Sequence, residues 1–285
     1  MMLLRSHFFR RVAIVGVGLM GGSLGMALKK YQLAREVVGV STHSQTLDQA
    51  IQKGAIDMGF MDIPQGVANA DLVVLATPVQ TILQLLPTIS ASLRRGCLIT
   101  DLGSAKLEIV EKAESTLSLP GLFVGSHPLT GSEKKGVEYA RAELFENTRC
   151  IMTPTSKTSP VAKEKIKHLW TKLGAKVEFL SPEEHDRILA QVSHLPHLLA
   201  YVLMESIPQE SLPYAPQGLK DSTRIAASSP QMWNDICMAN SKNILHALDE
   251  VVKHLSSIRK AVINRDQKTL MNHFTRAKEK RDTLQ

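Results

Sequence analysis

Residues 12–23 read VAIVGVGLMGGS. Four apolar residues, Val12-Ala13-Ile14-Val15, run into Gly16-Val17-Gly18-Leu19-Met20-Gly21, and a helical pattern with Leu24, Ala27 and Leu28 follows. The glycine spacing alone is a weak signal. Between a buried strand and a helix it is a strong one for a dinucleotide site. Gly16 makes the tight turn, Gly18 lets backbone approach a pyrophosphate, and Gly21 lets the helix pack on the strand. The helix N-terminus then faces the phosphates, with Leu19 and Met20 in its first turn.

Working outward, further short apolar runs repeat the opening pattern: 37–40, 72–76, 97–100, 122–124, 150–152 and 177–180. They are rich in β-branched residues and bounded by breakers, as strands buried on both faces of a mostly parallel sheet should be. Amphipathic segments such as 79–93 and 105–117 lie between them. The expected fold is α/β, a Rossmann-type doubly wound sheet over residues 1–180. After residue 181 strand signals stop. Ser181-Pro182-Glu183-Glu184 is a strong helix start, and helical periodicity is expected over 182–206, 231–255 and 257–282, with a loop through Pro208, Pro213 and Pro216. Residues 181–285 therefore form an all-α helical domain. It is apolar at Ile188-Leu189-Ala190, Leu198–Leu203 and Ile244-Leu245, which predicts a homodimer through those helices.

The composition excludes several classes. With 285 residues, 44% hydrophobic, the chain can bury a full core. No apolar run reaches the ~18 residues needed to span a bilayer. The basic, apolar start MMLLRSHFFRR lacks a signal peptide's cleavage site and reads as a frayed terminus. Three scattered cysteines, Cys97, Cys150 and Cys237, form no disulfide or zinc pattern and fit a reducing, cytoplasmic setting. The net charge of +7 is spread along the chain rather than clustered, which disfavours nucleic acid and suits anionic ligands.

An NAD enzyme usually ends its second strand on an acid that binds the ribose hydroxyls. Here the strand ends Val40-Ser41-Thr42-His43. No acid repels a 2′-phosphate, and Ser41, Thr42 and His43 can bind one. The balance tilts to NADP over NAD, although no arginine is present. The next strand exits through Thr77-Pro78, a kinked edge that fits the cofactor crevice.

Three more motifs carry chemistry. Asp101-Leu102-Gly103-Ser104-Ala105-Lys106 follows a strand directly; Ser104 can hydrogen-bond near a nicotinamide, Lys106 reads as a helix-start cation and Asp101 as a cap of the next helix. His127 sits on a loop after the strand 122–124, stiffened by Pro128. The helical half offers Ser193-His194-Leu195-Pro196-His197 and Lys220-Asp221-Ser222-Thr223-Arg224. The stretches GSHPLTGSEKKGVEYA, SHLPH and KDSTRIA with PQMWNDI resemble the prephenate and arogenate dehydrogenase family over nearly the whole chain.

That resemblance implies oxidative decarboxylation of a cyclohexadienol dicarboxylate, with hydride passing to NAD(P)+. It implies His127 as the base for the C4 hydroxyl, Ser104 as its hydrogen-bonding partner or that of the hydroxyl, and Arg224 as the carboxylate anchor. His197, Ser132, Glu133, Trp233 and Asp221 would line or orient the substrate pocket. Asp221 reads equally as a local surface ion pair, and His194 as a core histidine. No metal and no appended regulatory domain are expected. Two other readings compete. A β-hydroxyacid dehydrogenase shares the Gly18-Leu19-Met20-Gly21 pattern but needs a lysine where S-H-L-P-H stands. A non-enzymatic NAD(P)-binding redox sensor would need the glycines only.

Overall fold

The computed structural model describes residues 8–131 and 134–284. Among these residues a single sheet of eight strands carries the N-terminal half: β1 (Phe9–Val15), β2 (Ala34–Val40), β3 (Met58–Phe60), β4 (Leu72–Leu75), β5 (Leu98–Asp101), β6 (Phe123–Pro128), β7 (Arg149–Thr153) and β8 (Lys176–Phe179). Their order is β3-β2-β1-β4-β5-β6-β7-β8. The chain reverses direction across the sheet between β1 and β4, the switch point where doubly wound sheets bind ligands. All neighbours run parallel except β6 and β7.

Helices α1 (Leu19–Lys30), α2 (Ser44–Gln52), α3 (Ile63–Val67), α4 (Val79–Ser92), α5 (Leu107–Thr116) and α6 (Pro160–Lys172) cover the sheet. Val12 and Ile14 of β1 face a core with Leu24 and Leu28 of α1 and with Trp170 of α6. Ala13 and Val15 face a second core with Ile82 and Leu86 of α4 and Ile109 of α5. Both faces are covered, so the strand is apolar at every position rather than at every second one.

The second half holds α7 (Pro182–Leu189), α8 (Leu195–Glu205), α9 (Gln217–Thr223), α10 (Pro230–Ala239), α11 (Ser241–Ile263) and α12 (Gln267–Asp282). The Rossmann-type sheet followed by helices is as expected, but several elements differ in detail. β3 is a three-residue edge strand, too short for its pattern to register. The expected helix 182–206 is interrupted by a π-turn over Ala190–His194. Pro196 lacks the N–H an α-helix would use there, and the wider turn absorbs the mismatch. The expected helix 231–255 breaks instead at Asn240, the residue between α10 and α11, whose side chain makes no capping bond to α11. α11 then continues to Ile263; Arg265 at φ 52° and the cap Asp266, whose side chain accepts from Thr269 N–H, set the real break before α12. The loop through the three prolines contains α9 and 3-10 turns at Gln209–Tyr214 and Arg224–Ala227.

His127 is not on a loop. β6 pairs with β5 only at Phe123 and Val124, then pairs antiparallel with β7, placing His127 opposite Ile151. The backbone of Gly125–Pro128 is therefore held by a strand that sequence periodicity did not connect to it.

Candidate active site

The glycine turn ends β1 at the switch point. Gly16 has φ 95°, and a Cβ there would lie 2.9 Å from the Ala76 carbonyl. A Cβ on Gly21 would sit 2.0 Å from the Gly16 carbonyl oxygen, so α1 packs on the turn only without one. Gly18 differs: a Cβ there meets nothing within 4 Å. Among the described residues the space over Gly18 is open, and no side chain caps the N-terminus of α1 there. The Thr77 hydroxyl oxygen, at the exit of β4, is buried without a hydrogen-bond partner among the described residues. An open cradle over uncapped helix N–H groups, beside an unpaired hydroxyl, fits the pyrophosphate of a dinucleotide. Leu19 and Met20 pack against the core beneath it. Ser41 is half-buried and Thr42 and His43 are exposed at the end of β2. The Thr42 hydroxyl lies 3.0 Å from His43 Nδ1, and Ser41 Oγ accepts the His43 N–H at 3.3 Å. Pro78 is the residue from which α4 starts, at the exit of β4.

Across the crevice, β5 ends in a buried clasp. Lys106 and Asp101 form an ion pair with both side chains fully buried. Asp101 also accepts N–H groups from Gly103 at 2.8 Å and Ser126 at 3.2 Å, and Lys106 Nζ donates to the Ser126 carbonyl at 3.0 Å. Lys106 is thus not a solvated helix-start cation, and Asp101 does not cap α5. Together they fasten the end of β5 to the residue before His127. The Ser126 hydroxyl is held in turn by Trp170 Nε1–H at 3.1 Å.

α5 is capped from the other half of the molecule. Asp186, on α7, accepts the N–H of Lys106 at 2.8 Å and of Leu107 at 3.0 Å. Its neighbour His185 places Nδ1 2.8 Å from Asp186 Oδ1 and Nε2 2.9 Å from His127 Nδ1. Burial, with His185, Lys106 and His194 nearby, holds the His127 pKa well below the usual 6.5. His127 is therefore a neutral imidazole at pH 7, as a general base must be.

The substrate side is built on α8 and α10. His194 is buried; its Nδ1 lies 3.2 Å from Asn240 Nδ2, and burial pushes its pKa down to about 4. The Ser104 backbone acts on the same ring, which puts the Asp101–Lys106 segment beside it. Trp233 packs edge-on to His194 at 6.0 Å and stacks under His197 at 3.7 Å. Its indole N–H is buried with no partner among the described residues. His197 Nδ1 donates to the Ser193 carbonyl at 2.9 Å, so its lone pair is on Nε2. The Arg224 guanidinium, at an exposed 3-10 turn, is close enough to lower the His197 pKa, after burial itself. Asp221 is exposed and accepts from Gln217 Nε2 at 2.7 Å.

The structure thus brings the Ser104 backbone, His127, His197 and Trp233 near His194, with Arg224 beside His197. Ser132 and Glu133 lie outside the described residues. Sequence reasoning missed His185, Asp186 and Asn240. Their partners are 58, 80 and 46 residues away, and the only local hint was a histidine-aspartate pair on a well-capped helix.

The chain is similar to known proteins over most of its length. The family model for the prephenate dehydrogenase nucleotide-binding domain matches residues 24–179, and that for its dimerization domain matches residues 181–276. Prephenate dehydrogenase of Bacillus subtilis is 37% identical over 96% of this chain and 76% of its own length. Cyclohexadienyl dehydrogenase of Zymomonas mobilis is 32% identical over 97% of this chain and 96% of its own. The crystal structure of prephenate dehydrogenase from A. aeolicus, in complex with hydroxyphenyl propionate and NAD+, superposes with a TM-score of 0.89 at 34% identity, covering 97% of this chain and 98% of that one. A 3-hydroxyisobutyrate dehydrogenase from Mycobacterium tuberculosis, at 17% identity and a TM-score of 0.52, shares the fold alone. On the two domain models and these full-length likenesses, the chain belongs to the prephenate dehydrogenase family.

Proposed function

We propose that this protein is an NAD(P)-dependent dehydrogenase that oxidises prephenate, or its amino analogue arogenate, with loss of the ring carboxylate. One observation carries the reading: a buried, neutral His127 at the carboxyl edge of a dinucleotide-binding sheet. The nicotinamide of the bound dinucleotide supplies the acceptor for the C4 hydride. His127 takes the C4 hydroxyl proton as that hydride leaves. The ring is then a dienone, and breaking the bond to its carboxylate releases carbon dioxide and restores aromaticity. The electron pair goes to the former carbinol oxygen, and His127 returns the proton there. No net proton is consumed.

Arg224 holds a substrate carboxylate, since a planar guanidinium matches it in bidentate fashion. His197, kept flat on Trp233, faces the substrate side chain, and Ser104 bonds the hydroxyl or His127. By the family resemblance Ser132 and Glu133 contribute to substrate binding, and Asp221 orients Arg224 or another partner in the site. Gly16, Gly18 and Gly21, with Leu19, Met20, Thr77 and Pro78, hold the dinucleotide. Ser41, Thr42 and His43, with no acid at the ribose position, favour NADP over NAD. The division falls between residues 180 and 181, and the helical half joins two copies into a homodimer in the cytoplasm.

The test is reduction of NAD+ and of NADP+ with each of the two substrates, repeated with His127→Asn. The variant should bind cofactor normally while turnover falls by on the order of 10²- to 10⁴-fold. Undiminished turnover would remove His127 from the mechanism. Reduction of neither cofactor by the wild type would favour a different hydroxyacid substrate.

A further inference from the structure

Behind His127 stands a line of buried side chains that the base itself does not explain. His127 Nδ1 lies 2.9 Å from His185 Nε2, and His185 Nδ1 lies 2.8 Å from Asp186 Oδ1. The side chains of His185 and Asp186 are 0% and 1% exposed, so water does not substitute for these contacts. The direction of every proton in the line follows from its far end. Both oxygens of Asp186 already accept backbone N–H groups, Oδ1 from Lys106 and Oδ2 from Leu107. A carboxylate held this way is an acceptor to whatever else approaches. His185 must then carry its hydrogen on Nδ1, which leaves a lone pair on Nε2. His127 in turn donates from Nδ1, and its own lone pair lies on Nε2. The reverse set of tautomers would point a lone pair of His185 at the carboxylate, acceptor against acceptor.

We propose that His185 and Asp186 are positioning residues that fix His127 in the tautomer whose Nε2 accepts the substrate's hydroxyl proton. The inference rests on His127 being the base. It adds a destination for the charge that the base acquires. Once Nε2 has taken the proton, the Nδ1–H of His127 points into the lone pair of His185. Passing that hydrogen across forms an N–H bond on His185 Nε2 and breaks one on His127 Nδ1. The positive charge then lies on the ring in direct contact with Asp186, and His127 is neutral again. The same step in reverse returns the proton to His127 for delivery to the product oxygen. Lys106, whose charge opposes an imidazolium on either ring, is offset by its own pairing with Asp101.

The tautomer can be read without any variant. In the ¹⁵N-histidine spectrum of the wild type loaded with whichever of NADP+ and NAD+ it reduces, His127 and His185 should each show a protonated Nδ1 and an unprotonated Nε2. A His127 carrying its hydrogen on Nε2 would overturn the relay. The kinetic arm uses two substitutions. His185→Leu removes the acceptor, and kcat should fall by on the order of 10²-fold or more, with the KM for cofactor unchanged. His185→Gln restores a carbonyl oxygen at the position of Nε2 and should recover at least about tenfold of that loss. Equal losses in both, or none in the leucine variant, contradict the proposal. A collapse of His127→Asn combined with the wrong tautomer would dismiss the relay and leave the base standing. Surviving turnover in His127→Asn would dismiss both.

Discussion

His127 is kept neutral first by burial and then by the cationic or potentially cationic groups around it, His185, Lys106 and His194. The sign of the pH dependence follows. A depressed pKa means the base form survives acidification past 6.5, the ordinary histidine value. In the free enzyme, the acid limb of kcat/KM should therefore bend at a pH below 6.5. A profile measured from pH 8 to 5 checks this; a limb centred at or above 6.5 contradicts the buried setting. At this scale the sequence was informative where a motif is contiguous and silent where contacts are long-range. His127, Ser104, His197 and Arg224 sit in recognisable strings. Lys106 sits in one too, yet its burial could not be read there, because a lysine beside a helix start is ordinarily solvated. Only the fold brings Asp101 and the Ser126 carbonyl around its ammonium.

Among the elements, the turn from β1 into α1 separates two kinds of glycine, and substitution should separate them again. Gly18→Ala meets no protein atom within 4 Å, at a φ of −88° that alanine adopts readily. The fold should be unaffected, with a melting temperature within about 2 °C of wild type, while the KM for cofactor rises at least tenfold because the methyl fills the pyrophosphate's space. Gly21→Ala strikes the Gly16 carbonyl instead and should lower the melting temperature by several degrees. Calorimetry alongside cofactor titration distinguishes the two. The inner strands β1, β2, β4, β5 and β7 were legible in sequence because burial on both faces makes them continuous apolar runs; β8, expected to be buried likewise, is instead a largely exposed edge strand. β3, short and at the edge, was not legible. The strand character of Gly125–Pro128 was hidden for another reason: its pairing partner, β7, lies beyond a long connection, and its glycine, serine and proline imitate a loop. Helix ends failed where a tertiary contact set them. Asn240 reads as one more polar residue in a helical run, yet its side chain donates to the Asp186 carbonyl at 2.7 Å.

For the molecule as a whole, the apolar residues of the helical half are not all inside. Among the described residues Leu245, Val252, Leu255 and Val262 are each more than half exposed along α11, with Val202 on α8 and Met271 and Phe274 on α12. The spacing on α11 makes one stripe, which a second copy of the chain would bury. Val252→Glu together with Leu255→Glu should convert a dimer to a monomer in light scattering at micromolar concentration. A wild type that is already monomeric there would refute the homodimer. The sequence supplied the existence of this helical layer and its apolarity, but not its exposed face, because periodicity marks a stripe without saying what covers it. The two halves also meet inside the chain, at Asp186. Its carboxylate holds the first N–H groups of α5 on one side and the ring of His185 on the other. Separating the halves at that point would break three hydrogen bonds together, the two amides of α5 to Asp186 and His127 to His185, at about 0.5–1.5 kcal/mol each. The contacts that hold the two halves together there are thus the same ones that hold the base, so a change that shifts α7 against α5 should be felt at His127 before it is felt anywhere else in the site.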